Sequence, residues 1–165
     1  LTYLMRAMAE AASRNPKIAL LLVGDGEQRN ELIRMASDFR IADKIFFTGF
    51  LRGDKWRDAY GVADVFVMSS VNEPFGLTAL EAAHFNNALI ISKQSGVGEV
   101  LQNILRYDFW DTKKLANQIY EVSVNKKLLD NLKKGVRKEY NKISWSDIAD
   151  QIMDEFIHLT EEKNG

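Results

Sequence analysis

The length, composition and charge of the chain limit what kind of protein it can be. Its 165 residues fit one domain, and its hydrophobic (46%) and charged (27%) fractions are those of a soluble globular protein. The absence of cysteine excludes a disulfide scaffold, thiolate metal sites and a cysteine nucleophile. The 22 basic and 23 acidic residues are well mixed and leave a net charge of −1, so no nucleic-acid-binding surface is predicted.

Short apolar runs alternate with helical periods along the whole chain, which predicts an α/β protein with a doubly wound parallel sheet, flanking helices and a helical C-terminus. The apolar runs are far too short to span a membrane. In chain order the pattern predicts a helix over 1–13, a strand over 18–23, a helix after a glycine turn, strands over 44–48 and 64–69 separated by a short helix, a helix over 76–85, a strand over 88–92, a short helix over 97–102, an edge strand over 105–109, and helices over 112–124, 126–140 and 145–159.

The last predicted helix carries an apolar stripe formed by Ile148, Ile152, Phe156 and Leu159. Such a stripe usually packs into the core of its own domain, so we expect these side chains to be buried. A surface for a partner is the alternative.

An anion site is predicted where the strand over 64–69 leads into the helix over 76–85. Ligands of an open parallel sheet bind at the carboxyl ends of its strands. Gly76, Leu77 and Thr78 at the helix start carry amides without partners inside the helix, and the helix dipole favours negative charge there. Thr78 adds a hydroxyl donor.

Two carboxylates lie close to this helix start in the sequence. Glu73 precedes the helix, and Glu81 lies about one turn inside it among small apolar residues. A carboxylate can accept two hydrogen bonds from a vicinal diol such as a ribose. From these residues alone, an exposed helix glutamate and a charged loop residue remain equally good interpretations.

Two glycine-bearing turns follow other predicted strands. The segment over 92–99 contains Ser95, Gly96 and Val97 and could approach the ligand from the other side, although a simple strand–helix turn explains each residue equally well. Gly24-Asp25-Gly26 lacks the third glycine of a dinucleotide fingerprint.

In this order the segments resemble the retaining glycosyltransferases of family 4, also called group 1, whose GT-B architecture pairs two Rossmann-like domains. The specific match is Glu73-Pro74-Phe75-Gly76-Leu77 through Glu81-Ala82, the family's pair of glutamates with seven residues between them. Three earlier segments are also similar, namely Val23-Gly24-Asp25-Gly26-Glu27, Phe47-Thr48-Gly49-Phe50 and Ala63-Asp64-Val65-Phe66-Val67, as is the loop Ser95-Gly96-Val97.

The resemblance implies roles for individual positions. Glu81 matches the glutamate that holds the donor ribose, and Glu73 matches the one that contacts the transferred sugar near its reacting carbon. The amides of Phe75, Gly76, Leu77 and Thr78 match those facing the donor phosphates; Ser95, Gly96 and Val97 lie near the phosphates and sugar; Phe50, Leu51 and Arg52 surround the nucleobase. Family members need neither cofactor nor metal, and both His84 and His158 are expected to be structural.

The resemblance also implies what the whole protein does. Residues 1–165 correspond to a single C-terminal nucleotide-sugar-binding domain without the first strand, the basic loop before the first helix and the N-terminal acceptor domain. The full protein is expected to transfer a sugar from a nucleoside-diphosphate sugar to a glycan or lipid-linked acceptor with retention, while the fragment alone is inactive. A cytoplasmic location is expected, with any contact to the inner face of a membrane made by the missing domain.

Other functions remain compatible with the same residues. A non-catalytic nucleotide-sugar-binding module, or one subunit of a split transferase, is the main alternative. A phosphorylase or a nucleotide-sugar epimerase of similar architecture is a third, although no convincing Schiff-base lysine for a cofactor-dependent phosphorylase is present.

Overall fold

The computed structural model describes residues 1–162, except for the side chains at 145, 147, 148, 151 and 159–162. Strands and helices alternate through the first two thirds of the chain, and the rest is helical, as the sequence predicts. The helices are α1 (Thr2–Arg14), α2 (Arg29–Asp38), α3 (Asp54–Val62), α4 (Leu77–His84), α5 (Thr112–Val124), α6 (Lys126–Tyr140) and α7 (Trp145–Glu162). The strands are β1 (Leu20–Val23), β2 (Ile45–Gly49), β3 (Val65–Met68), β4 (Ala88–Ser92) and β5 (Leu105–Tyr107).

The five strands pair only in parallel, but they form two sheets rather than the single sheet expected from the sequence. One sheet has the order β1–β2 and the other has the order β3–β4–β5. Apolar side chains of β1 and β3 nevertheless pack against the same hydrophobic cluster, including Leu20, Leu22, Val65 and Val67. The two sheets therefore share one core, although no ladder of hydrogen bonds joins β1 to β3 in the described part of the chain.

The centre of the larger sheet is the most deeply buried part of the fold. All five residues of β4 are buried, because helices cover both of its faces. On one face, Ala79, Ala82 and Ala83 of α4 are fully buried. Their small side chains let α4 lie close to the sheet, and this fixes the helix whose start was predicted to bind an anion.

The turn between α4 and β4 is held by two asparagines. Asn86 adopts a left-handed conformation (φ 63°), which asparagine tolerates better than most residues. Asn87 is buried, and its side-chain nitrogen donates hydrogen bonds to the carbonyl oxygens of Tyr60 (3.0 Å) and Ala63 (2.6 Å). The end of α3 is therefore tied to the α4–β4 turn.

Two predicted segments differ from the structure in type, and several other elements, such as β1 and β5, are shorter than predicted. Lys44 belongs to a 3₁₀ turn, Ala42–Lys44, rather than to β2. The short helix predicted over 97–102 is a 3₁₀ turn over Gly96–Glu99. A few polar and small residues at an element boundary carry too little periodicity to separate a turn from a helix or a strand.

The expected burial of the stripe on the last helix is wrong for the two members whose side chains the structure describes. Ile152 is 53% exposed and Phe156 is 63% exposed. The side chains of Ile148 and Leu159 lie outside the described residues. Helical spacing of apolar residues shows that one face is apolar, but it does not show which surface covers that face.

Candidate functional site

Two loops predicted to form the site are bonded to each other at the carboxyl edge of the larger sheet. Residues 69–76 follow β3, and the turn after Ser92 follows the neighbouring strand β4. The amide of Glu73 donates to the carbonyl of Gln94 (3.2 Å), and the amide of Gly96 donates back to the carbonyl of Glu73 (3.0 Å). This pair of bonds fixes the backbone of Glu73 against the glycine loop.

The close approach of these loops requires a glycine at position 96. The next amide along, that of Val97, donates to the carbonyl of Phe75 (2.6 Å). A Cβ atom added to Gly96 would overlap the carbonyl oxygen of Pro74. Gly96 is therefore needed for contact between the loops, a role that the sequence pattern left open.

Two buried serines, Ser92 and Ser95, add hydrogen bonds beneath the same two loops, on the side of the sheet. The sequence did not indicate that they connect the loops. The hydroxyl of Ser92 donates to the carbonyl of Ser70 (2.7 Å) and lies 3.1 Å from the hydroxyl of Ser95. Both serines are at least 94% buried. A serine closing an otherwise apolar strand is the one signal that could have indicated them, because a buried hydroxyl needs a partner.

The helix predicted to bind an anion begins one residue later than expected. Gly76 is its cap residue and adopts a left-handed conformation (φ 98°), with Met68 and Val97 packed around its open face. The first amide to bond within the turn is that of Ala79, which donates to the carbonyl of Gly76 (3.0 Å). The amides of Leu77 and Thr78 precede it, as the chemistry of an anion site requires.

Glu81 is neither fully exposed nor unpartnered. It is half-buried on α4, and its Oε2 atom accepts a hydrogen bond from the hydroxyl of Tyr60 on α3 (2.9 Å). Burial, followed by the hydrogen bond to Glu81 and by the charge of that carboxylate, raises the pKa of Tyr60 above its ordinary value. The tyrosine hydroxyl therefore stays protonated and remains a donor to Glu81 at physiological pH.

Glu73 borders an open cleft of about 360 Å³ at the same edge of the sheet. The cleft contains two cations, and both have partners within the protein. Lys93 forms an ion pair with Asp108 (2.9 Å). The guanidinium of Arg106 donates to the carbonyls of Gly98 and Leu101 and to the side chain of Gln102. Lys93 is thus an exposed lysine whose charge is paired with a carboxylate.

The residues assigned to the nucleobase follow a strand of the smaller sheet. Phe50, Leu51 and Arg52 follow β2, where Gly24 donates to the carbonyl of Gly49 (2.8 Å) and closes the sheet. Phe50 is 71% exposed, and the Arg52 guanidinium lies 5.1 Å from its ring centroid. An exposed aromatic ring paired with a cation suits stacking on a planar base. No hydrogen bond among the described residues links this group to Glu73 or Glu81.

The described part of the chain holds neither a candidate metal centre nor a candidate membrane span. No three His, Asp or Glu side chains there are placed to hold a metal ion together. His84 packs against the rings of Phe85 and Tyr140. None of the helices, within the residues described, is long and apolar enough to cross a membrane.

Parallel strands covered by helices, with loops joined at the carboxyl edge, define a Rossmann-like domain of the type found in GT-B glycosyltransferases. The family model "Glycosyl transferases group 1" matches residues 1–139, and the chain belongs to this family. It is 31% identical over 155 residues to a glycosyltransferase of Methanocaldococcus jannaschii, covering 89% of this chain and 38% of that protein. It is 30% identical over 128 residues to LpsE, a lipopolysaccharide core biosynthesis glycosyltransferase of Rhizobium meliloti, covering 76% of this chain and 37% of that protein.

A solved structure supports the same fold. HepE of Anabaena, in a crystal structure with UDP-glucose, superposes with a TM-score of 0.81 at 22% identity, covering 95% of this chain and 44% of HepE. The chain thus spans less than half the length of each of these three proteins.

Proposed function

We propose that residues 1–165 form the donor-binding half of a family 4 glycosyltransferase, which transfers a sugar from a nucleoside-diphosphate sugar with retention of configuration. One observation carries the proposal. The loop bearing Glu73, the start of α4 and the glycine loop are bonded together at the carboxyl edge of parallel strands, where such folds bind ligands. The UDP-glucose in the HepE structure supports the class of donor.

The proposed roles divide the site by chemistry. Glu81 accepts hydrogen bonds from the donor ribose, and Glu73 contacts the transferred sugar near the reacting carbon. Amides of 75–78 stabilise the diphosphate as it leaves, an electrostatic task suited to preorganised donors. The loop of Ser95, Gly96 and Val97 lies beside the phosphates and sugar, and its own amides hold the turn together and bind the loop that carries Glu73. Phe50, Leu51 and Arg52 flank the base. The reaction uses no metal or other cofactor, and the leaving group is stabilised by amides together with cations from elsewhere in the full protein.

We also propose that the full protein adds a parallel strand and an acceptor-binding domain. The strand would lie between β1 and β3, whose side chains share one cluster although no ladder joins them. The greater length of the relatives leaves room for a second domain. A glycan or lipid-linked acceptor would bind there, and the lipopolysaccharide assembly named for LpsE is consistent with this class.

The proposal is tested with the full-length protein and its Glu81→Ala variant. Isothermal titration with UDP-, GDP- and ADP-sugars identifies the donor. Because Glu81→Ala removes the carboxylate that accepts hydrogen bonds from the ribose, its affinity for this nucleotide sugar should fall roughly 10- to 100-fold. Glu10→Ala, an exposed glutamate on α1, serves as the control and should bind normally. Unchanged donor affinity in Glu81→Ala would remove the ribose assignment.

The finer parts of the proposal need separate measurements. NMR of the product shows whether the anomeric configuration is retained. Activity that survives dialysis against EDTA supports a metal-independent reaction, whereas recovery only on adding Mg²⁺ or Mn²⁺ contradicts it. Tight donor binding without turnover on any acceptor would favour the non-catalytic module.

A further inference from the structure

A hydrogen bond between α3 and α4 joins Tyr60 to Glu81, the proposed ribose-binding carboxylate. Tyr60, near the end of α3, donates its hydroxyl hydrogen to Oε2 of Glu81 on α4 (2.9 Å). Sequence analysis assigned no function to Tyr60. A phenylalanine would fill the same apolar position on the inner face of α3 but could not donate this bond.

The ring of Tyr60 is held by three other aromatic rings. It stacks on Phe85 with the planes 2° apart and the centroids 5.5 Å apart, and it meets Trp56 edge to face at 5.3 Å. Phe66 of β3 lies against it with a centroid distance of 6.0 Å. These contacts fix the position of the hydroxyl, since a ring packed on several sides has little rotamer freedom.

The backbone of Tyr60 is fixed as well. Its carbonyl oxygen accepts from the buried side chain of Asn87, which lies in the turn after α4. Both ends of Tyr60 are therefore attached to the segment that carries Glu81. Movement of α3 relative to α4 is opposed at the carbonyl and at the hydroxyl together.

We propose that Tyr60 is a positioning residue for donor binding, because its hydroxyl fixes the carboxylate of Glu81 in the orientation that receives the two ribose hydroxyls. The proposal rests on the proposed function, in which Glu81 binds the ribose. A carboxylate has about four acceptor positions, so one bond from Tyr60 leaves enough for a diol. A free glutamate loses rotamer freedom when it binds, and a carboxylate that is already held avoids much of that cost.

The test uses the full-length protein with the Tyr60→Phe substitution, which keeps the ring and removes the hydroxyl. Dissociation constants are measured for UDP and 2′-deoxy-UDP, and for the corresponding ADP and GDP pairs if those bind more tightly. Tyr60→Phe should lower the affinity for the ribonucleotide roughly 10-fold and the affinity for the 2′-deoxynucleotide much less. The preference for the ribonucleotide therefore shrinks. In turnover assays the donor KM should rise while kcat changes little.

Tyr107→Phe is the matched control. It also removes a tyrosine hydroxyl, in this case a fully buried one, which donates to the carbonyl of Met68 (3.3 Å) rather than to Glu81. If both variants lose the same affinity for both nucleotides, Tyr60 has only a structural role and the proposal is overturned. Thermal unfolding of the two variants shows whether either loss comes from unfolded protein.

The outcomes also separate this inference from the proposed function. If the full-length protein binds none of the nucleoside diphosphates, or if Glu81→Ala binds them normally, the proposed function fails and the role of Tyr60 fails with it. If Glu81→Ala loses affinity while Tyr60→Phe keeps the full preference for the ribonucleotide, only the role of Tyr60 is wrong. The proposal is supported if Tyr60→Phe reduces the preference for the ribonucleotide in the wild-type protein but has no such effect in the Glu81→Ala protein. Coupling of this kind marks a direct interaction between the two residues.

Discussion

Gly96 determines how closely the two loops of the candidate site can approach each other. Its amide and the amide of Val97 bond to the loop that carries Glu73, and the space where a side chain would lie is filled by the Pro74 carbonyl. A side chain here must separate the loops, because a carbonyl oxygen in a bonded turn cannot give way as the end of a flexible side chain can.

Gly96→Ala should therefore weaken donor binding and destabilise the domain by roughly 1–3 kcal/mol. Urea unfolding and donor titration of the full-length protein measure the two effects. Gly61→Ala is the control, because Gly61 lies in α3 with nothing near its missing Cβ. It should be neutral or stabilising by roughly 0.5–1 kcal/mol. Equal effects of the two substitutions would contradict the role given to Gly96.

The roles proposed for the two glutamates separate binding from chemistry. Glu73→Gln should lower kcat roughly 100-fold or more, because it removes the negative charge near the reacting carbon, while the donor dissociation constant changes little. Steady-state kinetics and titration of the full-length enzyme measure both quantities. Near-normal turnover would remove Glu73 from the catalytic residues. Glu10→Gln again provides a distant charge-matched control.

At the scale of secondary-structure elements, Asn87 joins α3 to the turn before β4. Its side-chain nitrogen donates to two carbonyls at the end of α3, and the residue is 1% exposed. Asn87→Ala should cost about 2 kcal/mol, because two partly buried carbonyl oxygens lose their donor. Urea unfolding should show a lower midpoint at an unchanged slope. Asn141→Ala, at an exposed position after α6, should change stability by less than about 0.5 kcal/mol.

Tyr107 should make the larger sheet less stable at alkaline pH. Burial raises the pKa of this tyrosine above its ordinary value, because the interior disfavours the phenolate. Its contribution to stability is fully present below the unfolded-state pKa of about 10 and is lost as the pH rises above that value. Stability measured between pH 9 and 11 should fall less steeply in Tyr107→Phe than in the wild type. An identical slope would show that another group controls alkaline unfolding.

The helices and strands themselves were largely predictable. The limits of α5 and α6 agree with the sequence prediction, because Asp111 and Asn125 cap these helices by accepting from the amides of Lys114 and Leu128. The apolar run of β4 is fully buried, whereas the apolar run of β1 is only partly buried although its residues predict a strand buried on both faces. The apolar stripe of α7 shows the limit of such patterns, since Ile152 and Phe156 are apolar, regularly spaced and exposed.

At the scale of the whole molecule, the division into two sheets predicts two levels of protection from hydrogen exchange. Amides of β4 are bonded within the central strand of a three-stranded sheet that is buried on both faces. The strand β1 belongs to a two-stranded sheet, and none of its four residues is buried. In the 165-residue chain, β4 should exchange more slowly than β1, because local opening of the smaller sheet exposes less apolar surface. Equal rates would mean that the two sheets open together.

The sequence by itself determined the alternation of strands and helices, the parallel type of the sheet, and the position of Glu73 and Glu81 around the start of one helix. These features depend on local spacing and on residue types, which a single chain displays directly. It also indicated the group 1 family, which the family match confirms.

Only the tertiary structure decided which groups meet. Tyr60 and Glu81 are separated by 20 intervening residues, and Ser92 and Ser70 by 21, so no local pattern relates them. Whether a glycine is needed at 96 depends on a carbonyl from another loop. The physical reason is that hydrogen bonds and steric contacts between segments depend on how helices and strands pack, whereas sequence spacing reports only which face each segment offers. The sequence indicates two glutamates and the start of a helix, and tertiary packing adds the groups that hold these residues in position.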